Sequence, residues 1–151
     1  MVRCAWVEGH QGLERAARGG DPAGDETRGP AGLDVAGQYT RVSGYQRART
    51  ALKEGLDFTA VFAGADMVAV GALAALREAG LDVPGDVSLV GFAHVPFAAD
   101  LAPALTTVRV PYEDLGRTAV RLALERESRL ADGHVVLSTQ LVIRKSVRSP
   151  T

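Results

Sequence analysis

Side chains able to do chemistry are sparse in this sequence, and their spacing decides what they could do together. Three histidines, His10, His94 and His134, and the single cysteine Cys4 are the candidates for metal ligation or nucleophilic attack. Zinc sites need such ligands in pairs about two to five residues apart. No two of these four come that close, so neither a metal nor a cofactor is predicted. Phosphate-binding loops run glycines into Lys-Ser or Lys-Thr. Gly64 and Gly71 lack that lysine and read as helix-start and helix-packing residues. No serine stands in a Gly-x-Ser-x-Gly elbow, and Glu125 to Arg129 (ERESR) reads as the solvated end of a helix. The pattern predicts no catalytic residue and no enzyme. Asp66 opens a helical stretch, where a carboxylate either favours the helix dipole or reaches a ligand. His94 reads as a surface-loop histidine.

These residues are positioned by alternating strands and helices. In Arg41 to Gly55, Val42, Tyr45, Ala48 and Leu52 recur at three- and four-residue spacing, which predicts an amphipathic helix. Thr59 to Ala63 (TAVFA) and Val87 to Phe92 (VSLVGF) are short continuous apolar runs suited to buried parallel strands. Between them Asp66 to Ala79 predicts a helix stopped by Gly80, followed by a turn over Leu81 to Gly85. Strand, helix, strand at these lengths is the βαβ unit. Val2 to Val7 supplies a further strand of the same sheet. Leu105 to Val110 is extended, and Tyr112 to Glu127 is a helix with Pro111 at its start. Val135 to Ile143 is a final strand, long or broken. Gly19 to Gly32 (GGDPAGDETRGPAG) fits neither period and reads as an irregular surface loop, unusually long for a compact domain. The fold class is α/β.

Composition excludes several functions. The chain has 151 residues, 46% hydrophobic and 23% charged, with 17 basic against 18 acidic side chains. That length can bury roughly 70% of the unfolded surface. A net charge of −1 argues against a free-standing nucleic-acid binder. No stretch approaches the roughly 20 apolar residues that cross a bilayer, and Glu8 cuts the first apolar run short of a signal peptide. A cytoplasmic protein without membrane contact is expected.

Several motifs follow one another in order: Phe58 to Asp66 (FTAVFAGAD), Gly71-Ala72-Leu73, Val83 to Phe92 (VPGDVSLVGF), Leu105 to Arg109 (LTTVR) and Leu115-Gly116. This series resembles the effector-binding domain of the lactose-repressor/galactose-repressor (LacI/GalR) family of bacterial transcription regulators. Thr40 to Tyr45 (TRVSGY) and Leu141 to Ser146 (LVIRKS) extend the resemblance to residues 33–148. It implies the C-terminal lobe of a periplasmic-binding-protein-like (type I) domain, a three-layer α/β/α arrangement around a parallel sheet. Residues 1–18 would hold the first strand and the start of a helix, and 19–32 the irregular segment. Residues 98–129 would cross over to an N-terminal lobe that, with the hinge helix and helix-turn-helix, lies outside this sequence. The stripe Leu115, Ala119, Leu122 and Ala123 would then lack its usual partners and favour self-association.

The same resemblance implies the ligand positions. In doubly wound sheets ligands collect beyond the carboxyl ends of the strands, here Gly64-Ala65-Asp66 and Ala93-His94-Val95. Tyr39 stands where the family often stacks an aromatic ring on its effector, although a partly buried residue before the helix reads equally well. Ala65 replaces a usual Asn, Ala93 a usual Asp, and Val110 a common Gln. Asp66 is retained, His94 replaces a frequent second acid, and Arg18 lies within a residue of a frequent arginine. Each hydrogen bond lost to a polar ligand costs about 1–3 kcal/mol. Two or three losses erase most of a micromolar affinity, about 8 kcal/mol. The function implied is an effector-sensing part of a repressor-type regulator. Its partners would be a sugar-like or nucleoside-like small molecule and a second copy in a homodimer, with DNA reached only through a helix-turn-helix outside the sequence. The alternatives are a non-binding remnant or dimerisation module and a piece of a transporter's sugar-binding protein.

Overall fold

The computed structural model describes residues 38–55, 57–124 and 135–149, together with the backbone of 4–7. Arg18, the 19–32 segment, Glu125 to Arg129, His10 and His134 lie outside the described residues. The elements run β1 (Cys4–Val7), α1 (Arg41–Lys53), β2 (Ala60–Ala63), α2 (Asp66–Glu78), β3 (Ser88–Ala93), a 3-10 turn (Pro96–Ala99), β4 (Thr106–Arg109), α3 (Tyr112–Leu124) and β5 (Gln140–Val142). The strands lie side by side in chain order. β1 to β4 are parallel, and β5 closes the edge antiparallel to β4.

Local chemistry explains where the helices begin and end. Thr40 caps α1 in extended geometry, its Oγ1 accepting from the Ser43 amide at 3.2 Å. At the far end of α2, Gly80 takes φ +78°. The Leu81 amide there donates to Leu76 O and the Gly80 amide to Arg77 O, two bonds that satisfy orphan carbonyls. α1 packs on α2 and β1, and α2 on β2 and β3. The two helices touch backbone to backbone. A Cβ at Gly71 would fall 1.9 Å from Arg41 O, and one at Gly44 2.1 Å from Val68 O.

Burial alternates along the strands. Val61 and Ala63 of β2 and Leu89 of β3 are buried beneath α2, whereas Phe62, Val90 and Phe92 are half-buried. The apolar runs read in the sequence as doubly buried strands are thus covered fully on one face only, by Leu76, Val68, Ala69 and Ala72. The expected final strand is also shorter than its apolar run. β4 ends at Arg109 opposite Gln140, and Pro111, which has no N–H, leads the chain out of the sheet. Residues 135–139 therefore have no strand partner and stay irregular.

The chain beyond β5 is tied into the core. The Ser146 hydroxyl is fully buried, donates to Leu89 O at 2.6 Å and accepts from the Thr106 amide at 2.8 Å. Its carbonyl accepts from the Leu89 amide at 2.7 Å, and the Arg144 amide donates to Thr106 Oγ1 at 2.8 Å. One serine thereby joins β3 to β4. α3 is built differently: it carries no buried residue, and Leu115 and Leu124 are 50% and 76% exposed.

Candidate functional site

Parallel strands β2, β3 and β4 end at the same edge, so their outgoing turns converge. Ala65 is the residue before α2, in extended geometry with no side chain able to cap the helix. Ala93 ends β3 opposite Arg109, and Val110 follows β4. The three apolar positions therefore stand in a row, on strands roughly 4.8 Å apart. α1 runs back toward the start of β2, which puts its own beginning, with exposed Tyr39, toward the same end.

Asp66 is the fixed point of this edge. It is fully buried and both its oxygens are taken: Oδ2 accepts from the Val95 amide at 2.7 Å and Oδ1 from the Thr107 hydroxyl at 2.6 Å. Gly91 leaves the space the carboxylate needs, since a Cβ there would lie 2.2 Å from Asp66 Oδ1. Asp66 thus binds the β3 exit turn to β4 and does not stand open in a cleft. The spacing alone left helix stabilisation and ligand contact open. The partners it bonds are 29 and 41 residues away, and no local pattern signals them.

The turn it holds is unusual. Ala93 has φ +108° and His94 φ +64°, left-handed values that cost a residue with a Cβ about 1–3 kcal/mol. The His94 ring is half-buried, with Nε2 2.8 Å from Arg109 Nη2 and Nδ1 3.4 Å from Arg144 Nη2. Burial, then the Arg109 and Arg144 charges, lower its pKa below 6.5, against a smaller opposing pull from Asp66. That environment disfavours the imidazolium. His94 sits partly exposed in the turn after β3, in the middle of a contact that joins β3, β4 and the segment after β5. Arg109 and Arg144 carried no special signal in the sequence; the parallel register that sets Ala93 beside Arg109 brings them in.

Beside this edge α3 and residues 135–139 enclose an open cleft of about 480 Å3. Phe92, Val110 and Pro111 form its floor, and Tyr112, Leu115, Ala119 and Leu122 one wall. The lining is mainly apolar, with Tyr112, Thr118 and Thr139 its hydroxyl-bearing residues. Val110 is shared between cleft and strand edge. Among the described residues no three of His, Cys, Asp and Glu gather closely enough to hold a metal, and no helix is long and apolar enough to cross a membrane.

Comparison with known proteins gives one consistent result. The family model for periplasmic binding protein-like domains matches residues 10–147. The chain is 39% identical over 110 residues to a lactose operon repressor of Rhizobium radiobacter, covering 72% of this chain and 97% of that sequence. It is 41% identical over 111 residues to the HTH-type transcriptional repressor MelR of Bacillus subtilis (strain 168), covering 73% of this chain and 32% of that protein. Among solved structures, the Lac repressor bound to ONPG in its repressed state superposes with a TM-score of 0.71 at 26% identity, over 96% of this chain and 45% of the repressor chain. The chain thus spans about a third of MelR and under half of that Lac repressor chain.

Proposed function

The chain belongs to the family of periplasmic-binding-protein-like domains, and within it to the LacI-type transcription regulators; from this premise we propose that it is an effector-sensing lobe of a cytoplasmic repressor. The observation that carries this reading is the shared edge of β2, β3 and β4, where Ala65, Ala93 and Val110 line up beside a cleft that could admit a small molecule. Tyr39 would stack on the effector, Arg18 would add a charged contact, and Asp66 would act indirectly by fixing the Ala93–His94 turn. α3, which carries no buried residue here, would pack on a second lobe, and effector held between lobes would change their orientation and so operator affinity, a coupling of two sites. DNA contact would belong to a separate helix-turn-helix, and the working form would be a homodimer.

With Ala65, Ala93 and Val110 in place, affinity for neutral sugars is expected to be weak. Calorimetry of the purified chain against pentoses, hexoses and nucleosides tests this. Saturable micromolar binding of a common neutral hexose would overturn the apolar-edge reading. Absence of any small-molecule binding would overturn the sensor reading and leave the second one, an interaction module, which the unburied α3 favours.

A further inference from the structure

His94 stands between two groups that can only donate. A neutral imidazole has one N–H and one lone pair, and a guanidinium has donors alone. If Nε2 accepts from Arg109 at 2.8 Å, Nδ1 carries the proton and faces Arg144 Nη2, N–H against N–H, at 3.4 Å. The other tautomer moves the same conflict to Arg109. Either way one guanidinium meets the ring without an acceptor. Among the described residues neither Arg109 nor Arg144 pairs with a carboxylate. The nearby acid, Asp66, has already given its oxygens to Val95 and Thr107. Arg144 does donate through Nη1 to Leu105 O at 2.6 Å, which fixes its head in place and leaves Nη2 turned toward the ring. Two positive charges, Arg144 fixed by Leu105 O and Arg109 exposed at the end of β4, thus flank one ring without a negatively charged acceptor.

We propose that Arg109, His94 and Arg144 form an oxyanion-binding site, which takes a phosphate or carboxylate group at the carboxyl edge of β3 and β4. An oxyanion accepts charge-assisted hydrogen bonds from both guanidiniums, each stronger than a bond between neutral groups. Each guanidinium can then turn a donor from the ring to the anion, which relieves the conflict, and the anion's charge favours protonation of His94. The charged groups facing the ring are Arg109 from β4, Arg144 from the segment after β5 and Asp66 from α2. The last two are held in place by hydrogen bonds, so the anion is the component free to change.

The test is an NMR titration of the three histidine rings in the full chain, with His94 assigned from His94→Gln. Inorganic phosphate is expected to raise the His94 midpoint saturably, by about one pH unit, with His10 and His134 as internal references. Chloride at equal ionic strength is expected to leave it in place. Arg109→Gln and Arg144→Gln should each weaken phosphate binding about tenfold or more. His94→Asp sets a carboxylate between the two arginines. It should abolish phosphate binding by calorimetry while raising the melting temperature, a result a misfolded variant cannot give. A His94 midpoint indifferent to phosphate, or undiminished phosphate binding by His94→Asp, would overturn the site. Glucose 6-phosphate against inorganic phosphate separates the sources: tighter binding of the sugar phosphate assigns the oxyanion to an effector, and equal or weaker binding assigns it to the free ion. Only that last comparison rests on the effector reading; the inorganic phosphate arm stands or falls without it.

Discussion

At the scale of single residues the strand edge is governed by who accepts and who donates. Asp66 is a buried carboxylate with two donors aimed at it. Asp66→Asn turns one acceptor into an N–H and leaves a donor facing a donor, a loss of about 1–3 kcal/mol in urea unfolding. Thr107→Val in the same background should cost less than it does alone, because the pair is coupled. His94 has the opposite logic. Its pKa is lower in the folded chain than the ordinary 6.5, so the unfolded chain binds more protons in the window just below that value. Stability therefore falls as pH drops from about 7.5 through 6.5 and levels off below the folded pKa. His94→Gln should remove that slope from a plot of urea midpoint against pH. Sequence marked Asp66, Ala93 and His94 as one neighbourhood but not the partners, Val95 and Thr107 for Asp66 and the two arginines for His94. A hydrogen bond across 41 residues and a left-handed backbone at an alanine leave no local trace.

At the scale of elements, α1, α2 and the strands were legible because their cause is local. Three- and four-residue periodicity and Gly80 mark the helices, and the apolar runs at 59–63 and 87–92 mark the strands to within a residue. The C-terminal strand was not, since its length is set by β4, which stops at Arg109. Gly71 shows how tightly α1 and α2 are matched: any Cβ there meets the Arg41 carbonyl. Both contacts are backbone, and neither can rotate away. Gly71→Ala would gain helix propensity of about 1 kcal/mol yet must separate two helices, an overpacking cost of about 1–3 kcal/mol or more. A lower urea midpoint is expected, with Gly80→Ala a useful contrast, since no atom lies near Gly80 and only its positive φ resists.

At the scale of the whole molecule the two ends of the sheet differ in kind. The α1–α2 side is closed over small and aliphatic side chains, whereas Tyr112, Leu115, Val120 and Leu124 of α3 are exposed. Exposed apolar side chains in that number on one helix favour association or the binding of hydrophobic dyes. Leu115→Glu is expected to reduce dye fluorescence and to lower the weight-average mass in sedimentation without changing the urea midpoint, because Leu115 contributes nothing to the core. Ser146 has a different reach. Its hydroxyl joins Leu89 to Thr106, 57 and 40 residues upstream, so β3 and β4 leave the ribosome long before the residue that completes their seam. Contacts of such separation close late, after their loop entropy is met. A nascent chain that has reached β4 must therefore wait for the segment around Ser146, and the interval in which a chaperone can engage the open seam is set by the position of one serine.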